Sequence, residues 1–355
     1  LEVEPAAPRD AGSVGIDARI DTLPCRWTAG RALAFAFTGD RERPIDDVAA
    51  AASAMRELVA VRPRRDDGWA DPISEIVLAD PPLLRAEVAT EREPALRNRF
   101  SFARRDGWLE VVSETTACEV RWLGVAHELE RAERIAEVAC RAHALGRDEI
   151  AVTTIRDLFA IGDESGSTAR RLATLPLTAA DVAVARGRDR TIIAAWLDAP
   201  TGALSALAIR EDGSTVSAAG LRERVDATPA LASDRLIAGA VAIVRAADRA
   251  SLDRVWLDGD VIRIATIVDL TELAPRIADD VMLVTNETEA IFPLVDGTIV
   301  YIPLNGAGVR TIAPPPERGR DHRIVLAEGS SFGGQLWRAD DPRGPLFFRT
   351  LVCNR

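Results

Sequence analysis

The chain has 355 residues, 47% of them hydrophobic and 28% charged, which is enough apolar material for a sizeable core, and its length alone suggests about two domains. A formal net charge of −11 repels phosphate backbones and anionic bilayers, so neither nucleic acid nor membrane is an expected partner. All 44 basic residues are arginine, and without lysine the chain cannot build a P-loop or kinase phosphate site, a Schiff-base enzyme or a Ser-x-x-Lys hydrolase.

Residues 1–20 show neither helical nor strand periodicity and predict an extended N-terminal tail. They lack a charged start followed by an apolar stretch, so no signal peptide is expected, and no apolar run approaches the roughly 20 residues of a membrane-spanning helix. The short run "RALAFAFTG" (31–39) predicts a strand. Residues 43–63 combine Pro44, an acidic first turn, an alanine run and a closing Pro63, which predicts a helix. Residues 70–95 carry four prolines and read mostly as loop, with one strand at 75–79. Polar and apolar residues alternate on both sides of Asp106-Gly107, which predicts a hairpin over 98–114, and "CEVRWLGV" continues as a strand. Residues 126–146 place Leu129, Ala132, Ile135, Ala136, Ala139 and Cys140 at helical spacing ahead of Gly146 and predict a second helix.

Residues 151–190 read as a helical, arginine-rich connector. Three short strands are predicted over 191–220, then a helix over 227–250 with Thr228 as N-cap and Pro229 in its first position. A hairpin turning at Asp258-Gly259, a short Pro-broken helix, three strands over 281–304 and a strand at 322–329 follow, ahead of a C-terminal tail. The expected fold is therefore α+β: two sheet-and-helix units, at 21–150 and 191–355, with antiparallel hairpins and helices packed on one face. Asp-Gly recurs at 106, 212, 258 and 296, and the last three lie about one propeller blade apart. The helices expected between them, and the lack of self-similarity, argue against a propeller.

Candidate chemistry is thin. Glu287 and Glu289, one residue apart, match the Glu-x-Glu pair of ribose-directed transferases, the basis for an alternative as an effector enzyme acting on a nucleotide or NAD. Glu-x-Glu occurs at three other places here, so a turn between two strands is the preferred reading. "GSSFG" (329–333) offers Ser331 as a hydrolase nucleophile, but the helix that should follow is broken by glycine and proline, and no histidine lies downstream. Cys140 and His143, with Cys118 and His127, supply four zinc-ligand types, although the second close pair of a structural site is missing. The four cysteines, at 25, 118, 140 and 353, show no framework spacing and suit a reducing, cytoplasmic setting. Gly306-Ala-Gly308 is no dinucleotide fingerprint, so no cofactor is expected. "WRADDPRGPLFFR" gathers Trp337, Arg338, Phe347 and Phe348 as an aromatic-arginine anchor for a partner. The functional expectation is a non-catalytic adaptor or subunit of a larger bacterial assembly, bound to protein partners or to a second copy of itself.

Overall fold

A computed structural model of the protein describes residues 98–353, apart from 105–106, 125–126, 147–148, 163, 165, 235–238, 287, 327–331 and 341–344, and ahead of them the backbone of six strands. Two short strands come first, β1 (Cys25–Trp27) and β2 (Leu33–Phe35). Six four-stranded meanders then follow in chain order. Blade 1 is β3 (Val48–Ser53), β4 (Leu58–Pro63), β5 (Ile73–Val77) and β6 (Leu83–Val88). Blade 2 is β7 (Asn98–Arg104), β8 (Gly107–Glu114), β9 (Ala117–Leu123) and β10 (Leu129–Ala136). Blade 3 is β11 (Cys140–Ala144), β12 (Glu149–Thr154), β13 (Asp157–Gly162) and β14 (Arg170–Thr174). Blade 4 is β15 (Ala179–Arg186), β16 (Ile192–Asp198), β17 (Ala203–Ile209) and β18 (Thr215–Arg222). Blade 5 is β19 (Ala230–Ser233), β20 (Ala240–Ala246), β21 (Arg249–Asp258) and β22 (Val261–Asp269). Blade 6 is β23 (Val284–Thr285), β24 (Glu289–Pro293), β25 (Ile299–Pro303) and β26 (Arg310–Ile312). The last sheet, blade 7, holds β27 (Gly319–Leu326), β28 (Phe332–Ala339) and β29 (Leu346–Cys353), and β1 and β2 complete it by pairing with β29.

The first strands of successive sheets stand side by side, β3 against β7 and so on round to β27, which returns to β3. The result is a closed β-propeller whose described residues form seven sheets. This overturns the α+β expectation. Where the 43–63 helix was expected lie β3 and β4, where the 126–146 helix was expected lie β10 and β11, and where the 227–250 helix was expected lie β19, β20 and the start of β21. The 151–190 connector is β13, β14, β15 and most of β12. The expected boundaries at 150 and 190 fall inside blades 3 and 4, and the 1–20 tail lies outside the described residues. The one helix among the described residues is a 3-10 turn at Thr271–Arg276, broken by Pro275 where the Pro-broken helix was expected.

The physical reason is burial on both faces. In β16, Ile193 and Ala195 pack toward blade 5, while Ile192, Ala194 and Trp196 pack toward blade 3. In β20, Val241 and Ile243 face blade 6 and Ala240, Ala242 and Val244 face blade 4. A strand between two neighbours has no polar side, so it reads as a continuous apolar run. Alanine lets adjacent sheets approach, and alanine is also the strongest helix former, which explains the false helices at 43–63 and 227–250. The hairpins were legible because their turns are local: Gly213, Gly259 and Gly297 all have positive φ, at 84°, 56° and 84°. Asp212-Gly213 and Asp258-Gly259 both turn between the third and fourth strands of their blades, whereas Asp296-Gly297 turns between the second and third, so the pairs do not mark one repeating position.

No helix among the described residues is long and apolar enough to cross a membrane. Cys118 on β9 and Cys140 on β11 form a disulfide that staples blade 2 to blade 3, against the expectation of unpaired thiols.

Candidate functional site

The largest concentration of buried polar side chains that draws on residues singled out above lies between blades 6 and 7. It begins with a bulge. Between the pairs Arg320↔Arg338 and Arg323↔Leu336, β27 spends two residues, Asp321 and His322, against one on β28, Trp337, and Asp321 takes a positive φ of 55°. The extra residue turns His322 inward, to 5% exposure. Its Nε2 lies 3.1 Å from the Gly319 carbonyl oxygen, and Gln335 Nε2 lies 3.1 Å from its Nδ1. Gln335 Nε2 also donates to the Gly297 carbonyl at 3.0 Å, while Gln335 Oε1 accepts from Arg349 Nε at 2.9 Å. Arg349 donates onward to the Ala313 carbonyl at 3.3 Å.

That pattern fixes one tautomer. Nε2–H donates to a carbonyl and Nδ1 accepts from an amide, so the ring is held neutral. Burial, aided by the Arg349 charge, lowers the His322 pKa from 6.5 to about 4. Burial likewise lowers Arg349 to about 10, so it stays charged at neutral pH. Gly297 crowds the same spot, since a Cβ there would sit 2.5 Å from His322 Cε1.

Glu289 opens β24 at 3% exposure. The preceding turn is tied by Asn286, whose Oδ1 accepts from the Thr288 and Glu289 amides at 2.9 and 2.7 Å and whose Nδ2 donates to Glu289 Oε2 at 3.2 Å. Glu289 thus follows the connection from β23 to β24 and is buried rather than solvated. Burial raises the Glu289 pKa and pushes the Tyr301 phenol up as well. Tyr301 Oη is buried with no hydrogen-bond partner among the described residues. Glu287 and Ser331 lie outside the described residues.

The other candidates scatter. Cys118 and Cys140 spend their sulfurs on each other, which removes both thiolates from the expected zinc set. His127 stacks on Trp108 at 5.2 Å, and His143 is half-buried beside blade 4, its pKa lowered to about 4 mainly by desolvation. No cluster of three or more metal-ligand side chains occurs among the described residues. Trp337 and Phe348 are fully buried, so neither is an exposed anchor. Trp337 sits between His322 and Phe347, with ring centroids 6.0 and 5.4 Å away, and its indole N–H donates to the Glu317 carbonyl at 3.1 Å. Phe347 and Arg338 are half-buried, and Arg338 pairs with Asp321 across the bulge. Gln335 and Arg349 escaped sequence reasoning. The one available signal was a polar residue inside the otherwise apolar strands "FGGQLWRA" and "LFFRTLVC".

A second feature lies on the face formed by the loops that lead into the first strand of each blade and those that join the second to the third. There Val138, Ile155 and Leu177 are 37%, 64% and 71% exposed. The Cys140↔Thr154 register places residues 138–139 opposite 155–156, and the Leu175 amide donates to the Arg156 carbonyl at 2.6 Å. The three apolar side chains therefore belong to adjoining loops around blade 3.

No protein-family model matches the chain, and no curated protein matches it. Solved structures do. A streptogramin B lyase superposes with a TM-score of 0.58 at 12% identity, covering 91% of this chain and 97% of its own. Sqt1 of Saccharomyces cerevisiae gives 0.54 at 11% identity, covering 90% and 99%. A chain of the mitotic checkpoint complex gives 0.55 at 11% identity, covering 100% and 98%. Identities this low establish the fold alone, and the fold is shared by a lyase and by a component of a protein assembly.

Proposed function

We propose that the protein is a non-catalytic scaffold that holds a protein partner on its loop face over blade 3. The observation that carries this reading is the grouping of Val138, Ile155 and Leu177, apolar and exposed, on adjoining loops of one face. Isolated apolar residues are ordinary on a surface, but a group of them on one rim marks an interaction site. Two further facts support it. Two buried acid–base groups are committed to the fold: His322 is locked neutral and Glu289 caps its own turn. Propellers with likeness to this chain include one found in a multiprotein complex.

The test is a double substitution, Ile155→Asp with Leu177→Asp, compared with Val261→Asp, which is also exposed but lies at the turn between β21 and β22 on the opposite face. A partner that co-purifies from the native host in fixed proportion should be lost from the double variant and kept by the Val261 variant. All three proteins should melt within about 1–2 °C of one another, because exposed positions away from special contacts change stability little. Retention of the partner by the double variant would remove the site.

A further inference from the structure

The ring is closed by its two ends, and each end carries one cysteine at the seam. In the pairing of β1 with β29, Cys25 is the direct register partner of Cys353. Directly opposed residues on antiparallel strands have Cα atoms about 4.5–5.5 Å apart, within the roughly 4.4–6.8 Å span that a disulfide bridges. Nothing but the register is needed to bring the two together, although almost the whole chain lies between them. The other two cysteines, Cys118 and Cys140, are already joined, and they too link separate sheets.

We infer that Cys25 and Cys353 form a second disulfide, a covalent clasp across the closing seam of the propeller. The oxidant is a disulfide compound, either oxidised glutathione or the disulfide of a thiol oxidoreductase. One cysteine thiolate attacks a sulfur of that oxidant, expelling a thiolate and leaving a mixed disulfide. The second cysteine thiolate then attacks the protein sulfur of the mixed disulfide and releases the other half of the oxidant as a thiol. Two protein thiols lose two electrons and two protons, and one oxidant disulfide becomes two thiols. The clasp is distinct from the partner face over blade 3 and does not rest on it. Its chemistry places maturation of the protein in an oxidising compartment, in place of the reducing cytoplasm expected from cysteine spacing.

The absence of lysine makes the test clean, because trypsin cuts only after arginine. Cys25 falls in a peptide spanning residues 20–26, Cys353 in 350–355, Cys118 in 106–121 and Cys140 in 135–141. The wild-type protein is equilibrated in a glutathione redox buffer, free thiols are alkylated under denaturing conditions, and the non-reduced digest is read by mass spectrometry. The inference predicts one species joining 20–26 to 350–355 and another joining 106–121 to 135–141. Alkylated Cys25 and Cys353 beside an intact Cys118–Cys140 link would overturn it, as would a link from either seam cysteine to Cys118 or Cys140. Cys25→Ser, Cys353→Ser and the double variant should each melt lower than oxidised wild type by the same amount, roughly 5 °C or more. Unequal losses from the two single variants would also count against the clasp.

Discussion

Blades 4 and 5 meet across a mainly aliphatic surface joined by the Arg222–Asp253 ion pair, whereas blades 6 and 7 meet across a wired one. The first interface is built of small aliphatic groups, with Ala195, Ala206 and Ala208 set against Ala240, Ala242 and Val244. The second combines an apolar patch of Ile291, Ile299, Ile324 and Leu351 with the buried chain His322–Gln335–Arg349. The same architectural contact is thus made in two ways. The aliphatic part of the first interface is held by area and close approach, and tolerates neither a cavity nor an added methylene. The wired interface depends on every polar member finding its partner, and it lies in the sheet that the chain ends must complete. His322 and Gln335 are tied by these hydrogen bonds to the Gly319 and Gly297 carbonyls of blades 7 and 6.

The contrast can be broken most forcefully at Gln335. Replacing it with leucine keeps the volume but leaves the Arg349 charge without one acceptor and His322 without its donor. A loss of about 3 kcal/mol is expected, read as a lower midpoint in urea. Gly297→Ala adds a Cβ against His322 at a positive φ, for about 1–3 kcal/mol, and the same glycine-to-alanine change at Gly213, where a Cβ meets open space, should cost less. In the aliphatic part of the blade 4–blade 5 contact, Ala206→Leu overpacks two facing sheets and should cost about 1–3 kcal/mol without altering the pH dependence of stability. Tyr301→Phe should be neutral or slightly stabilising, since it removes a buried hydroxyl with no partner among the described residues.

The pH dependence sharpens the contrast further. His143 and His322 both drop from 6.5 to about 4 on folding. The unfolded chain takes up these protons near 6.5, while the folded chain resists until about 4. Stability should therefore be full above pH 6.5 and fall as pH drops toward 4, by about 1.4 kcal/mol per pH unit for each histidine. His322→Gln should remove one share of that slope and leave the share that belongs to His143. An unchanged slope in this variant would show that His322 is not desolvated.

What was legible in the residues was whatever is decided locally. The Asp-Gly hairpins stand where they were expected, at 98–114 and 253–268, and so do the three strands over 191–220. What was not legible was whatever depends on a neighbouring sheet. β10 and β11 are separated by only three residues, so an outer strand with one wet face and an inner strand of the next blade ran together into a false helix. The disulfide partners are 22 residues apart and on different blades, a pairing that only the ring creates. Of the candidate site, Glu289 and Trp337 were visible as residue types. Their roles were not, because those roles are set by the Asn286 turn and by the bulge at Asp321.

On the proposed function, the polar groups between blades 6 and 7 fasten the ring rather than perform chemistry. Nuclear magnetic resonance of histidine-labelled protein tests it most directly, since the chain has three histidines and their ring nitrogens can be followed through a titration. The expected result is a single Nε2–H tautomer for His322 that persists unchanged from neutral pH down to about pH 4. A His322 ring that titrates near 6.5, or that exchanges between tautomers at neutral pH, would contradict it.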